Sequence, residues 1–231
     1  NTISWKNLCR AGNVFSVEAI LLGQAGFLKQ EFFRENGYMR ALQQEYKHWQ
    51  NKFSLTPIDE SSWKYNPVRP SAMPETRLAQ IAALVSQTPD LFSSILYASD
   101  LKDLYKIFRP PVSGFWKNHC RPNTERKLFS TGRTGKNSVD IIIINAVVPL
   151  LMSFSEHTGN NSYEQSARAY MKKMKSEQNK IIDIFVRNAG IKVSNAIETQ
   201  GLLELFDRFC FKNQCMACPV MNQLIRKSEH D

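Results

Sequence analysis

The chain has 231 residues, 42% of them hydrophobic and 22% charged, with a formal net charge of +9. This composition excludes disordered, collagen-like and disulfide-stapled miniprotein classes and leaves enough chain to bury a sizeable core. The positive balance favours anionic partners such as nucleic acid, although solvated lysines scattered over a surface give the same total.

The five cysteines, Cys9, Cys120, Cys210, Cys215 and Cys218, are an odd number with no signal peptide ahead of them. A reducing cytoplasm is the expected compartment. The chain opens at Asn1 without a methionine, so we expect the C-terminal piece of a longer protein.

Residues 1–13 read as a connector. Ser16 then suits an N-cap, with Glu18 in the first turn of VEAILLGQAGFL, a helix apolar around most of its circumference. Gly23 and Gly26 are costly inside a helix and fit a close approach of another backbone or a helix end. Helix packing is the expected role of this stretch; the functional alternative places Glu18 and Gln24 at a pocket. From Tyr38 to Phe53 the residues Met39, Leu42, Tyr46, Trp49 and Phe53 step by three or four and form a core-facing stripe. His48 lies off it. Thr56-Pro57 ends the helix, and Asp59 to Trp63 adds a short turn.

The stretch WKYNPVRPSAMP is irregular, because Pro67, Pro70 and Pro74 forbid a regular helix and extend their predecessors. Pro74 also suits the first turn of PETRLAQIAALVSQ, where Glu75 favours the N-terminus. Arg69 in the proline-braced loop and Arg77 on the following helix form an anion site or pair with buried carboxylates. Two short helices follow, DLFSSILYA and LKDLYKIF. Basic residues then accumulate at Lys102, Lys106, Arg109, Lys117, Arg121, Arg126, Lys127, Arg133 and Lys136, opposed by Asp103 and Glu125, with Phe108, Phe115 and Trp116 interleaved. Charge with stacking surfaces makes this the best nucleic-acid candidate in the chain.

The segment GRTGKNS is not a phosphate-cradling P-loop, which needs four residues between its glycines and a preceding strand. It reads as the start of VDIIIINAVVPLLMSF, Val139 to Phe154, with Asn137 or Ser138 as cap. That run is apolar on nearly all sides, so it is expected to be the buried centre of the array; Asp140, Asn145 and Pro149 shorten it as a membrane span. Pro149 deprives the Asn145 carbonyl of its donor, which predicts a kink and a buried asparagine network. Three more helices follow, over Ser162 to Met174, Asn179 to Asn188, and after a Ser194 cap. No convincing strand pair is legible. The expected fold is therefore all-α, one irregular multi-helix domain over residues 1–231 around a buried apolar helix, closed by a cysteine loop.

In that loop Cys210, Cys215 and Cys218 are spaced for a metal, zinc or an iron–sulfur cluster, with Cys120, His119 or His230 as candidate fourth ligand. Ordinary reduced thiols are the competing reading. The loop partly resembles the four-cysteine loop of helical DNA glycosylases of the endonuclease III type, at different spacing.

The ordered set EAILLGQAGFL, VRPSAMPETRLAQIAAL, IIIINAVVPLLMSF and TQGLLELFDRFCFKNQCMACPV resembles the C-terminal half of an uncharacterised bacterial family, the domain of unknown function catalogued as twenty-eight fifty-one. The matching positions include Glu18, Arg69, Arg77, His119, Asn145 and the three clustered cysteines, whereas Cys120 stands where the family has an aromatic residue. The resemblance implies a metal-dependent, nuclease-like N-terminal half outside this chain. This half would then be a nucleic-acid-binding accessory domain in contact with DNA or RNA and its own N-terminal half, with no membrane partner. A structural domain packed on that half without binding nucleic acid is the alternative. An enzyme centred on Glu18, Arg69, Arg77 and His119 is the third reading, although no catalytic pair is legible.

Overall fold

The computed structural model describes residues 3–29, 36–65, 72–127 and 130–228. Among these the regular structure is helical apart from one small ladder, so the all-α expectation holds. The chain divides into two compact units, Asn1–Ile141 and Ile142–Asp231.

The first unit is built around α2 (Val14–Gln24), which follows the short α1 (Trp5–Cys9). Val17, Ala19, Ile20 and Leu22 are buried, as are Ser16, Glu18 and Gly23. A helix apolar on all faces must be enclosed, and α2 lies against both α3 (Gly37–Phe53) and α4 (Pro74–Gln87). Its cap is Asn13 rather than the expected Ser16: the Asn13 side chain accepts from the Ser16 N–H at 2.9 Å. Gly26 ends the helix region at φ +85, and a Cβ there would stand 2.5 Å from the Ile58 carbonyl. The Gln24 carbonyl accepts from Ile58 N–H, and the Ala25 carbonyl from the Trp63 indole, each at 2.9 Å. Residues 58–63, including the 3-10 turn Glu60–Ser62, thus strap the C-terminal end of α2.

Helix α3 carries the predicted stripe, with Met39, Leu42, Tyr46 and Trp49 buried. It ends at Ser54, in the left-handed conformation at φ 50, before Thr56-Pro57 is reached. Helix α4 starts at Pro74 as expected, and α5 (Leu91–Leu96) and α6 (Leu101–Phe108) are the two short helices read from the sequence. After α7 (Gly114–Asn118) the chain forms a two-stranded antiparallel ladder, β1 (His119–Arg121) with β2 (Thr124–Glu125). The sequence reading shows no strand here, because two- and three-residue strands carry no alternation to detect.

Helix α8 (Lys136–Ile142) passes through a π-helical segment, Ile143–Val147, into α9 (Val148–Thr158). The Val148 N–H bonds the Ile143 carbonyl, five residues back. Pro149 explains the shift: it lacks the N–H that the Asn145 carbonyl would take, and its ring crowds that carbonyl. Burial corrects the expectation for this run. Val139, Ile143, Val147 and Leu151 form a buried stripe, whereas Ile141 is 55% exposed and Asn145 is exposed. The fully enclosed helix is α2, not Val139 to Phe154. The continuous helix Lys136–Thr158 is long and apolar enough to cross a membrane by length and composition, a test that core helices also pass.

In the second unit, α10 (Ser162–Lys173) packs on α9, with the Phe154 and Tyr163 rings edge to face at 5.0 Å. Helix α11 (Lys180–Ala189) is capped by Asn179 and ended by Gly190 at φ 65. Helix α12 (Ala196–Leu205) begins at Asn195 instead of Ser194 and continues into a second π-helical segment, Phe206–Cys210. A 3-10 turn, Cys215–Ala217, precedes α13 (Pro219–Ser228).

Gly23 tests the helix contact at the centre of the first unit. A Cβ there would stand 2.2 Å from the Tyr46 ring. Gly23→Ala should lose about 1–3 kcal/mol, the usual cost of overpacking, in urea unfolding. An unchanged midpoint would show that α2 and α3 do not meet at this distance.

Candidate functional site

The structure divides the basic stretch in two. On α6, Lys102 and Lys106 are one turn apart and exposed, with Arg109 following one turn on. The segment leading into α8 lies beside this helix. Arg109 Nε donates to the Thr134 carbonyl at 2.9 Å, the Tyr105 hydroxyl donates to Asp140, and Lys136 Nζ stands 5.5 Å from the Tyr105 ring centroid. Helix α6, with Lys102, Lys106 and Arg109, and the segment that carries Arg133 and Lys136 are therefore neighbours, although 34 residues of chain separate Lys102 from Lys136. Arg133 is exposed, as are the three lysines. Asp103 offsets Lys106, at 3.3 Å, and is itself bonded by Ser99. Asp140 is occupied by Tyr105.

The other basic residues of the stretch lie on α7 and the β1–β2 hairpin. Lys117 is half-buried and Lys127 exposed. The two arginines turn to internal acceptors. Arg126 Nε donates to the His119 carbonyl at 3.1 Å and its Nη2 to Thr76 Oγ1 at 3.3 Å. Arg121 Nε donates to Glu75 Oε1 at 3.1 Å, and its guanidinium lies 4.4 Å from the Tyr65 ring centroid. Arg77 is likewise internal, donating to Gln80 Oε1 at 3.0 Å and to Ser138 Oγ at 3.1 Å. Its expected companion Arg69 lies outside the described residues.

Two buried carboxylates sit in this unit. Glu18, on the enclosed α2, accepts on Oε2 from the Tyr38 hydroxyl at 2.5 Å and the Trp116 indole at 3.0 Å. Burial pushes the Glu18 carboxyl above its usual range, against the downward pull of Tyr38, Ser113 and Trp116. Burial also raises the Tyr38 phenol, and the neighbouring Glu18 charge raises it further. Tyr38 stacks on Phe115 at 4.5 Å, and Phe115 stacks on His119 at 4.0 Å. His119 Nδ1 lies 3.0 Å from the Phe115 carbonyl. Glu18, Arg77 and His119 thus each serve different partners, and the geometry forms no nucleophile–base pair from them.

The second carboxylate, Glu75, accepts from Tyr65 Oη and Arg121 Nε, both at 3.1 Å on Oε1. Sequence reasoning assigns Glu75 only to a helix N-terminus. Its partners come from ten residues before and 46 residues after it, and no local pattern ties them to it.

The three clustered cysteines lie in the second unit. Cys210 and Cys215 are exposed and Cys218 is buried. Among the described residues no group of three His, Cys, Asp or Glu side chains comes together to hold a metal ion. His230, a candidate fourth ligand, lies outside the described residues.

A family profile described as "Protein of unknown function (DUF2851)" matches residues 2–180. No curated protein and no solved structure matches the chain.

The raised Glu18 pKa has a pH signature. The folded chain holds this proton to higher pH than the unfolded chain, so the associated stability is full below the ordinary carboxylate range. It is lost as pH rises through the folded-state pKa. Glu18→Gln keeps an acceptor for Tyr38 and Trp116 and never ionises. The Tm difference, variant minus natural chain, should rise from acid to neutral pH in thermal unfolding; a flat difference would show that Glu18 does not titrate there.

Proposed function

The chain belongs to the family of proteins of unknown function DUF2851, and we propose that within it this chain is a nucleic-acid-binding module. The observation that carries this reading is that α6, with Lys102, Lys106 and Arg109, lies beside the segment that carries Arg133 and Lys136, the two joined through Arg109, Tyr105 and Lys136. Four of the five are exposed on neighbouring elements, which suits them to neutralising successive backbone phosphates. Arg77, Arg121 and Arg126 hold internal acceptors, so they brace the unit rather than contact the ligand in this reading. A nuclease-like context rests on the resemblance of the sequence, and a cytoplasmic setting on its cysteine usage.

A second reading is favoured by the second unit. Ile184, Val186, Phe211, Met216, Val220, Met221 and Ile225 are exposed there. Apolar side chains in that number suit an interaction domain that packs on another part of a longer protein.

One experiment separates the two. Binding of a short labelled single-stranded DNA or RNA, measured by fluorescence anisotropy at several salt concentrations, should weaken linearly in log salt. Lys102→Glu with Lys136→Glu should weaken it at every sequence and reduce the salt slope by about 0.7–0.9 for each lost phosphate contact. Indifference to both polymers at low salt would overturn the nucleic-acid reading and leave the interaction domain.

A further inference from the structure

A cavity of about 240 Å³ opens between the first turn of α4 and the tip of the β1–β2 hairpin. Phe27, Glu60, Glu75, Arg121, Asn123 and Thr124 line it. Glu75 is its decisive group. The residue is 1% exposed, and while Oε1 accepts from Tyr65 and Arg121, Oε2 is buried with no hydrogen-bond partner among the described residues. An ionised carboxylate offers about four acceptor positions, and a buried oxygen left without a donor is unfavourable. The side chain lines the cavity, held in place through one oxygen, while the other is buried without a hydrogen-bond partner among the described residues.

The charge around that volume narrows what it would take. A metal ion is the poorer occupant, because no three metal-ligating side chains converge among the described residues and the Arg121 guanidinium already faces Glu75. An ammonium group needs no such shell, since a single directed N–H satisfies Oε2. Glu60 adds a second negative charge to the lining. Arg121 brings the opposite requirement: it gives Nε to Glu75, yet its side chain remains 41% exposed, so its guanidinium is placed to meet an anion entering beside the ammonium. Asn123 and Thr124 add polar groups at the hairpin tip, and Phe27, which is buried, gives an apolar wall. A group of both signs on adjacent atoms with an apolar side arm matches this lining.

We propose that this cavity binds a free L-α-amino acid, its ammonium on Glu75 Oε2 and its carboxylate on the Arg121 side. The site is separate from the basic surface around Tyr105 and does not depend on that surface binding nucleic acid.

The test is amide chemical-shift mapping of the whole chain titrated with each of the twenty L-α-amino acids, with propylamine and propionate as the two half-ligands. At least one amino acid should shift the residues lining the cavity saturably. Both half-ligands should bind at least about tenfold more weakly, equivalent to about 1.4 kcal/mol. Glu75→Gln should abolish binding. Because Glu75 also holds Tyr65 and Arg121, its loss could disturb folding, and Thr124→Phe provides the independent check. Thr124 lines the cavity from the hairpin and takes part in neither of those bonds, so a larger side chain there narrows the volume. Thr124→Phe should remove binding with Tm unchanged. The absence of any saturable shift, equal binding of propylamine, or full binding by folded Thr124→Phe would each overturn the proposal.

Discussion

The first unit depends on enclosing α2. A helix apolar on every face gains most when no side of it meets water, so it requires neighbours all round. Helices α3 and α4 supply two walls, and the strap of residues 58–63 closes its end. The absence of a Cβ at Gly23 lets the Tyr46 ring lie against the helix backbone. The one charge-bearing side chain on α2 is the cost of this arrangement. Glu18 cannot reach water, so Tyr38 from α3 and Trp116 from α7 bring it hydrogen-bond donors. The same two aromatic residues belong to the packed rings around Phe115, so the polar solution for Glu18 and the apolar packing beside it are made by shared side chains.

Arginine and lysine divide the labour of the basic residues. A guanidinium carries several donors in a fixed plane and can serve a backbone carbonyl while part of it stays solvated. Arg109, Arg121 and Arg126 each reach an internal acceptor, Arg109 tying α6 to the segment before α8 and the other two tying the hairpin to α4. The lysines of α6 and Lys136 are exposed, with Lys106 paired to Asp103 and Lys136 beside the Tyr105 ring. The formal charge of the stretch therefore overstates what stays uncommitted at the surface, because Arg109, Arg121 and Arg126 are engaged by internal acceptors.

The two buried carboxylates look alike in composition and differ in setting. Both hold hydrogen-bond donors on one oxygen and leave the other without a donor among the described residues. Glu18 belongs to the centre of the core, whereas Glu75 lines an opening beside an arginine. An orphan oxygen in a packed core belongs to a group disposed to keep its proton. An orphan oxygen on a side chain that lines a cavity is an unmet acceptor at the edge of the core.

Local chemistry was readable without the fold. Helix positions, the stripe of α3, Pro74 at the start of α4 and the break caused by Pro149 all depend on residues within a turn or two of one another. So does the all-α class. The sequence alone could not say which of two all-round apolar helices is enclosed, because Val14–Gln24 and Val139–Phe154 satisfy the same local criteria and only packing partners distinguish them. Nor could it separate inward arginines from outward lysines, join Lys102 to Lys136, or mark Glu75 as more than a helix-start residue. Each of those facts is a contact between residues distant in the chain. Tertiary structure decided them because burial and pairing are properties of what a side chain meets, and neighbours in space are not encoded by neighbours in sequence.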